Sequence, residues 1–177
     1  NLDEGSLSSV LVLAILIALH GMIQLAYAAL TNARRTSLKE DSERGDKQAK
    51  RTLKLSDNLP RLNITKQLLS TFIQFAIVAV ATVHLAEPMI RAEDAMGVFL
   101  VPELGYLAVL LPTALVTYIL GELVPLALGQ AYADQVARFV AMPMRVIVFV
   151  LSPLVSVLLS LSNTISRITG GEDIAKA

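Results

Sequence analysis

Glu122 is the one charged residue in the stretch from Tyr106 to Pro125, where it lies within Thr117-Tyr118-Ile119-Leu120-Gly121-Glu122-Leu123-Val124-Pro125. An acidic residue near the centre of a membrane helix costs roughly 2.5–3.5 kcal/mol on insertion scales. A carboxylate kept there implies a function. Pro125 has no amide hydrogen, and its ring clashes with the carbonyl one turn back, that of Gly121, so the spacing predicts a helix that kinks or opens at Glu122. Backbone carbonyls freed around Gly121 need a partner inside a membrane, and a bound cation supplies one. The other reading places Glu122 at the cytoplasmic interface, capped and solvated.

Neutral oxygens that could join such a site lie on two other segments. In the stretch Asn63 to Gln74, the residues Gln67, Thr71 and Gln74 share one helical face with Ser70 beside it. Earlier, His20, Gln24, Tyr27 and Thr31 recur at spacings of four, three and four, again on one face. Neutral oxygens are cheaper to bury than carboxylates and can ligate a hard cation. Glu122 with Ser70, Thr71, Gln74, Gln24 and the Gly121 carbonyl makes an incomplete oxygen cage for such a cation. Both polar stripes also fit a role as interhelical hydrogen-bond donors and acceptors.

The elements that must position these residues are membrane helices. Leu7 to Leu30 is an apolar run long enough, at 1.5 Å per residue, to cross a hydrocarbon core of about 30 Å. The spans read as about 7–32, 62–86 and 104–124, with Glu87-Pro88 ending the second and a further kink at Pro112 in the third. Between the first two, residues 34–58 read as a helical hairpin outside the bilayer, with Gly45 as the stop of its first arm. Ten of the fifteen Lys and Arg residues lie between Arg34 and Lys66. That excess in a short loop assigns the hairpin to the cytoplasm.

In the last third, Ala131 to Val140 is amphipathic, Ala141-Met142-Pro143-Met144-Arg145 breaks the pattern, and Val146 to Leu161 is apolar but interrupted by Pro153. Residues 129–168 therefore read as juxtamembrane belt helices in the interface, with a fourth span as the alternative. The C-terminus then lies inside, and Gly170-Gly171 reads as a linker to a further segment. The fold class is all-α integral membrane: three transmembrane helices, a cytoplasmic hairpin and belt helices.

Composition narrows the chemistry. The chain has 177 residues, no Cys and two His (His20 and His84), which excludes disulfides and thiolate sites and argues against a His-rich zinc or haem centre. Acidic residues interleave the basic segment and aromatics are absent from it, so nucleic acid is not expected as a partner. An enzyme is not expected either, since there is no Gly-x-Ser-x-Gly turn, His-Glu-x-x-His helix or Gly-rich phosphate loop. Glu87, Glu93, Asp94 and Glu103 make the outer loop acidic, as a vestibule that attracts cations or as an ordinary solvated loop.

Taken in order, these features resemble the transmembrane domain of the CorC/CNNM (cyclin M) magnesium transporters. The resemblance is carried by Tyr27-Ala28-Ala29-Leu30-Thr31 before a basic turn, Leu38 to Gly45 with Asp46 and Ala49-Lys50-Arg51, and Leu53-Lys54-Leu55 to Pro60-Arg61. It continues in Gly121-Glu122-Leu123-Val124-Pro125 and in Met142-Pro143-Met144-Arg145 to Pro153 with Leu161-Ser162-Asn163. It implies a homodimer of three-span subunits in the cell membrane, CBS domains further along the protein, and sodium-coupled export of magnesium from a site between the helices. Glu122 carries over directly, Ser70 and Thr71 fall where the family has Gly-Asn or a similar polar pair, and Gln74 falls where it often has Asn. Where the family reads Ser-x-Ser-Glu at the end of the first span, this chain has Ile23-Gln24-Leu25-Ala26, and Leu126 stands where a Lys often follows the Pro. Two functions follow as expectations: a secondary cation transporter for magnesium or another ion, or a membrane anchor and sensor that dimerises cytoplasmic regulatory domains without transport.

Overall fold

The computed structural model describes residues 3–94 and 102–168. The Gly170-Gly171 linker and the outer-loop residues 95–101 lie outside them. Among the described residues there are helices and no strands: α1 (Asp3–Asn32), α2 (Arg35–Glu43), α3 (Lys47–Ser56), α4 (Leu59–Ala81), α5 (Glu87–Asp94), α6 (Pro102–Tyr118), α7 (Val124–Ala131) and α8 (Ala133–Ile168). Two five-residue π-helical turns, Thr82–Ala86 and Ile119–Leu123, join α4 to α5 and α6 to α7. Four helical stretches among them are long and apolar enough to cross a membrane: Leu7–Asn32, Leu59–Ala92, Glu103–Ala131 and Ala133–Thr164.

Prolines act differently from the sequence expectation. Glu87-Pro88 does not end the second apolar helix. The chain continues into α5, because the π turn closes with the Glu87 amide donating to the Thr82 carbonyl and puts Pro88 in the first turn of the next helix, where a missing amide is tolerated. Pro143 and Pro153 likewise fail to break the last segment, which is one 36-residue helix. Both rings lie on its exposed side, where no neighbouring helix meets them.

The chain divides into two units: Asn1–Gln24 with Ser70–Leu126, and Leu25–Leu69 with Ala127–Ala177. In the first, α1 approaches the second π turn through glycine. A Cβ on Gly121 would sit 3.0 Å from the His20 ring and 3.4 Å from the Ile17 carbonyl, and one on Gly21 would sit 2.9 Å from the Pro125 ring. Small residues allow this backbone approach in membrane helices. The outward faces carry Phe72, Phe75, Leu111 and Leu115, all exposed, as lipid-facing surfaces of membrane helices do.

In the second unit, Leu30, Leu38 and Leu62 are almost fully buried with Ala26, Ala29, Ala49, Ala137 and Met144. The α2–α3 hairpin is held to α8 by Arg138, which pairs with Asp41 and, at 3.1 Å, with Asp46. All three side chains are about two-thirds buried. Asp46 also caps α3, its carboxylate accepting from the Gln48 amide at 2.8 Å. The Ser56 hydroxyl donates to the Leu30 carbonyl at 2.8 Å, which pins the end of α3 to the end of α1.

Gly129 is the tightest point of this packing. A Cβ there would lie 2.5 Å from the Leu25 carbonyl oxygen and 2.8 Å from the Ala28 Cβ, and neither can swing aside. Gly129→Ala is therefore expected to destabilise the domain by about 1–3 kcal/mol, read as a lower midpoint in thermal unfolding in detergent followed by circular dichroism; an unchanged midpoint would contradict this packing.

Candidate cation site

The site is built by the interruption of the third apolar helix. α6 ends at Tyr118 and the next five residues, Ile119–Leu123, form a π turn in which the Val124 amide donates to the Ile119 carbonyl, five residues back. Pro125 follows at once. The layout repeats that at Thr82–Ala86, where Glu87 closes the turn and Pro88 comes next. The extra residue in a π turn advances the register by about 100° relative to an α-helix. Glu122 thus comes near the direction Gly121 would take in an uninterrupted helix, while Gly121 turns to His20 and Ile17 on α1.

That rotation brings Glu122 to a cavity of about 400 Å³. Its polar lining is Gln74 of α4, Thr113, Thr117 and Tyr118 of α6, and Glu122. Ile77, Val78, Leu110 and Ala114 make the rest of the wall. Glu122 is half-buried and takes part in none of the ion pairs among the described residues. The Thr117 side chain is 7% exposed, and its hydroxyl oxygen is buried without a hydrogen-bond partner. Most buried polar groups are satisfied. Here a carboxylate, a carboxamide and an unengaged hydroxyl line one space.

Of the residues selected from sequence, the structure brings Gln74 and Glu122 to this cavity. Ser70 and Gln24 are buried beside each other instead, the Gln24 amide donating to the Ser70 hydroxyl at 3.3 Å. Thr71 is half-buried and Gln67 is exposed; neither lines the cavity. Gly121 is buried against α1. The α1 stripe divides: His20 and Gln24 are buried, but Thr31 donates its hydroxyl to the Tyr27 carbonyl of its own helix at 2.8 Å. Tyr27 carries the Lys66 ammonium over its ring at 4.8 Å.

Thr113, Thr117 and Tyr118 escaped the sequence reading. The signal was present as Thr113 and Thr117 four residues apart, which puts two hydroxyls on one face leading towards Glu122. Thr113 donates its hydroxyl to the Val109 carbonyl at 2.8 Å, the usual resting place of a membrane threonine. Thr117 does not, which separates it from its neighbour. Among the described residues no group of three or more His, Cys, Asp or Glu could hold a metal ion. The donors at this cavity are hard oxygens, largely neutral, and they suit a cation that keeps part of its water.

These features define an all-helical membrane domain with a largely apolar cavity that holds a few polar groups at a wide helical turn. Residues 11–177 match the model of the cyclin M transmembrane N-terminal domain, and the chain belongs to that family. It is also similar to UPF0053 protein sll0260 of Synechocystis sp., with 27% identity over 159 residues, covering 88% of this chain and 35% of that protein. The chain thus spans about a third of that relative's length.

Because the Thr117 hydroxyl has no protein partner, its removal should leave the fold intact. Thr117→Val is expected to change stability by less than about 0.5 kcal/mol in thermal unfolding. A loss above about 1 kcal/mol would show that the hydroxyl holds the helices together.

Proposed function

We propose that this domain moves a divalent cation across the membrane, exporting magnesium in exchange for sodium, with Glu122 as the charged ligand. The observation that carries the reading is the convergence of Glu122, Gln74 and the unengaged Thr117 hydroxyl on one cavity. A carboxylate in a membrane helix without a protein cation beside it calls for a mobile one. The π turn adds a reason for movement, since the proline that follows an i→i+5 turn has no amide to lock it into a plain α-helix. The Gly21–Gly121 contact lets that turn slide against α1 as the site opens to either side.

The remaining expected ligands, Ser70, Thr71, Gln24 and the Gly121 carbonyl, would join the site only after the Gln24–Ser70 hydrogen bond opens. That bond supports a second reading. With two candidate ligands satisfying each other, and Ile23 and Ala26 buried where the family carries a serine and a glutamate, the domain would serve as a dimerising anchor for cytoplasmic regulatory domains further along the protein.

The two readings separate in liposomes holding the purified domain, with Mg²⁺ and Na⁺ gradients imposed separately. Transport requires Mg²⁺ flux that responds to sodium and falls by roughly tenfold or more in Glu122→Gln with the fold unchanged. Equal flux in the variant removes Glu122 from the mechanism. No flux of either ion through a folded dimer supports the anchor.

For topology we infer three crossings, with α8 lying in the cytoplasmic interface as a belt and the C-terminus inside the cell membrane. Arg138, Arg145, Ser152, Ser156, Ser160 and Asn163 fall on one face of α8 over its whole length. Arg61, at the start of α4, donates to the Ser152 hydroxyl and, at 2.9 Å, to the Ser156 hydroxyl. That contact holds the middle of α8 at the level where α4 begins, and Phe139, Val146, Val150 and Val157 are exposed on another face that lipid would cover. A cysteine placed at Thr164 in this cysteine-free chain should react with an impermeant maleimide from the cytoplasmic side. Labelling from the outside alone would make α8 a fourth span.

A further inference from the structure

The unit that contains α3 and α8 carries a strongly basic cavity. A cavity of about 600 Å³ is lined by Lys47, Lys50, Arg51 and Lys54 of α3, by Arg61 of α4 and by Arg145 of α8. No carboxylate lines it. Four acidic residues of this unit are paired elsewhere, Asp41 and Asp46 on Arg138, Asp57 on Arg35, and Asp134 on Arg34, and Glu40 and Glu43 of α2 do not line the cavity. None of the six lining cations is ion-paired among the described residues. Six like charges around one space repel each other, and an anion relieves that repulsion.

Lys47, Lys50, Lys54 and Arg145 are exposed, while Arg51 and Arg61 are half-buried. Lys47, Lys50, Arg51 and Lys54 recur at helical spacing, while Ala49, Thr52 and Ser56 on the other face of α3 are buried. The Thr52 hydroxyl, whose residue is fully buried, donates to the Gln48 carbonyl at 3.0 Å. Arg61 is fixed by its bonds to Ser152 and Ser156, and its Nε is buried without a hydrogen-bond partner. The floor between these charges is apolar, formed by Leu62, Val148 and Phe149. Phe149 is 79% exposed, a large ring left uncovered next to a basic cavity.

A free phosphate would use the charges and leave that floor bare. A phospholipid uses both, with its phosphate among the cations and its acyl chains against Phe149 and Val148. The excess of basic residues places this face on the cytoplasmic side, where anionic lipids supply the complementary surface. We propose that the cavity between α3 and α8 binds the headgroup of an anionic phospholipid of the cytoplasmic leaflet, anchoring the hairpin and α8 to the membrane surface.

The test is lipid binding by native mass spectrometry on the purified chain in detergent, with phosphatidylglycerol and phosphatidylcholine of identical acyl chains. Phosphatidylglycerol is expected to bind preferentially, and the triple variant Lys50→Gln/Arg51→Gln/Lys54→Gln to lose on the order of a hundredfold in affinity for it. Arg145→Gln alone, at an exposed position, gives a smaller loss that keeps the test valid if the triple variant fails to fold. Lys39→Gln, an equal charge change on α2 outside the cavity, should leave binding unchanged. Equal binding of the two lipids, or a loss in Lys39→Gln as large as in Arg145→Gln, would overturn the proposal. Displacement of phosphatidylglycerol by an equal concentration of inorganic phosphate would also overturn it, by making this a site for a soluble anion.

Discussion

A proline inside a membrane helix withholds one backbone hydrogen bond, and in lipid the orphaned carbonyl cannot turn to water. The chain meets this constraint twice with the same device, a π turn closed one residue before the proline, at Thr82–Ala86 and at Ile119–Leu123. At the first the result is continuity, since α4 runs on into α5. At the second the result is also a change of register. Glu122 is carried to the face that holds Thr117 and looks towards Gln74, and Gly121 is carried to α1. The carboxylate and the close helix contact are therefore two outcomes of one backbone irregularity.

That irregularity is sustained by small residues. A Cβ at Gly21 would collide with the Pro125 ring at 2.9 Å, and one at Gly121 would press on the His20 ring at 3.0 Å. A larger residue at either position therefore requires its neighbour to shift. The α2–α3 hairpin works by different physics. Its leucines and alanines supply an ordinary core, and its charges divide into those spent on Arg138 pairing and those left around the α3–α8 cavity. Proximity to a membrane gives that second group a use which a water-facing helix would not have.

The helical membrane character was legible, because long apolar runs interrupted by one charged segment leave few alternatives. The family was legible in the same way, from an order of short motifs extending over most of the chain. What misled was proline. Pro88, Pro143 and Pro153 each read as a break, yet a π turn absorbs the first and the exposed side of α8 accommodates the other two. The polar stripes were read as flat helical faces, so Gln24 and Ser70 stood together with Gln74 and Glu122. Periodicity assigns a residue to a face of its own helix but does not say which helix that face meets, which is why Gln24 and Ser70 proved to face each other; Thr117 was passed over although its spacing from Thr113 carried the signal.

The central claim is that the π turn presents Glu122 to a mobile cation. The most direct measurement is Mn²⁺ binding, as a spectroscopic substitute for Mg²⁺, to the purified protein in nanodiscs, followed by electron paramagnetic resonance in wild type and in Glu122→Gln. The account predicts a bound Mn²⁺ that Mg²⁺ displaces and that the variant loses. Equal Mn²⁺ binding by both proteins, with both folded, would contradict it.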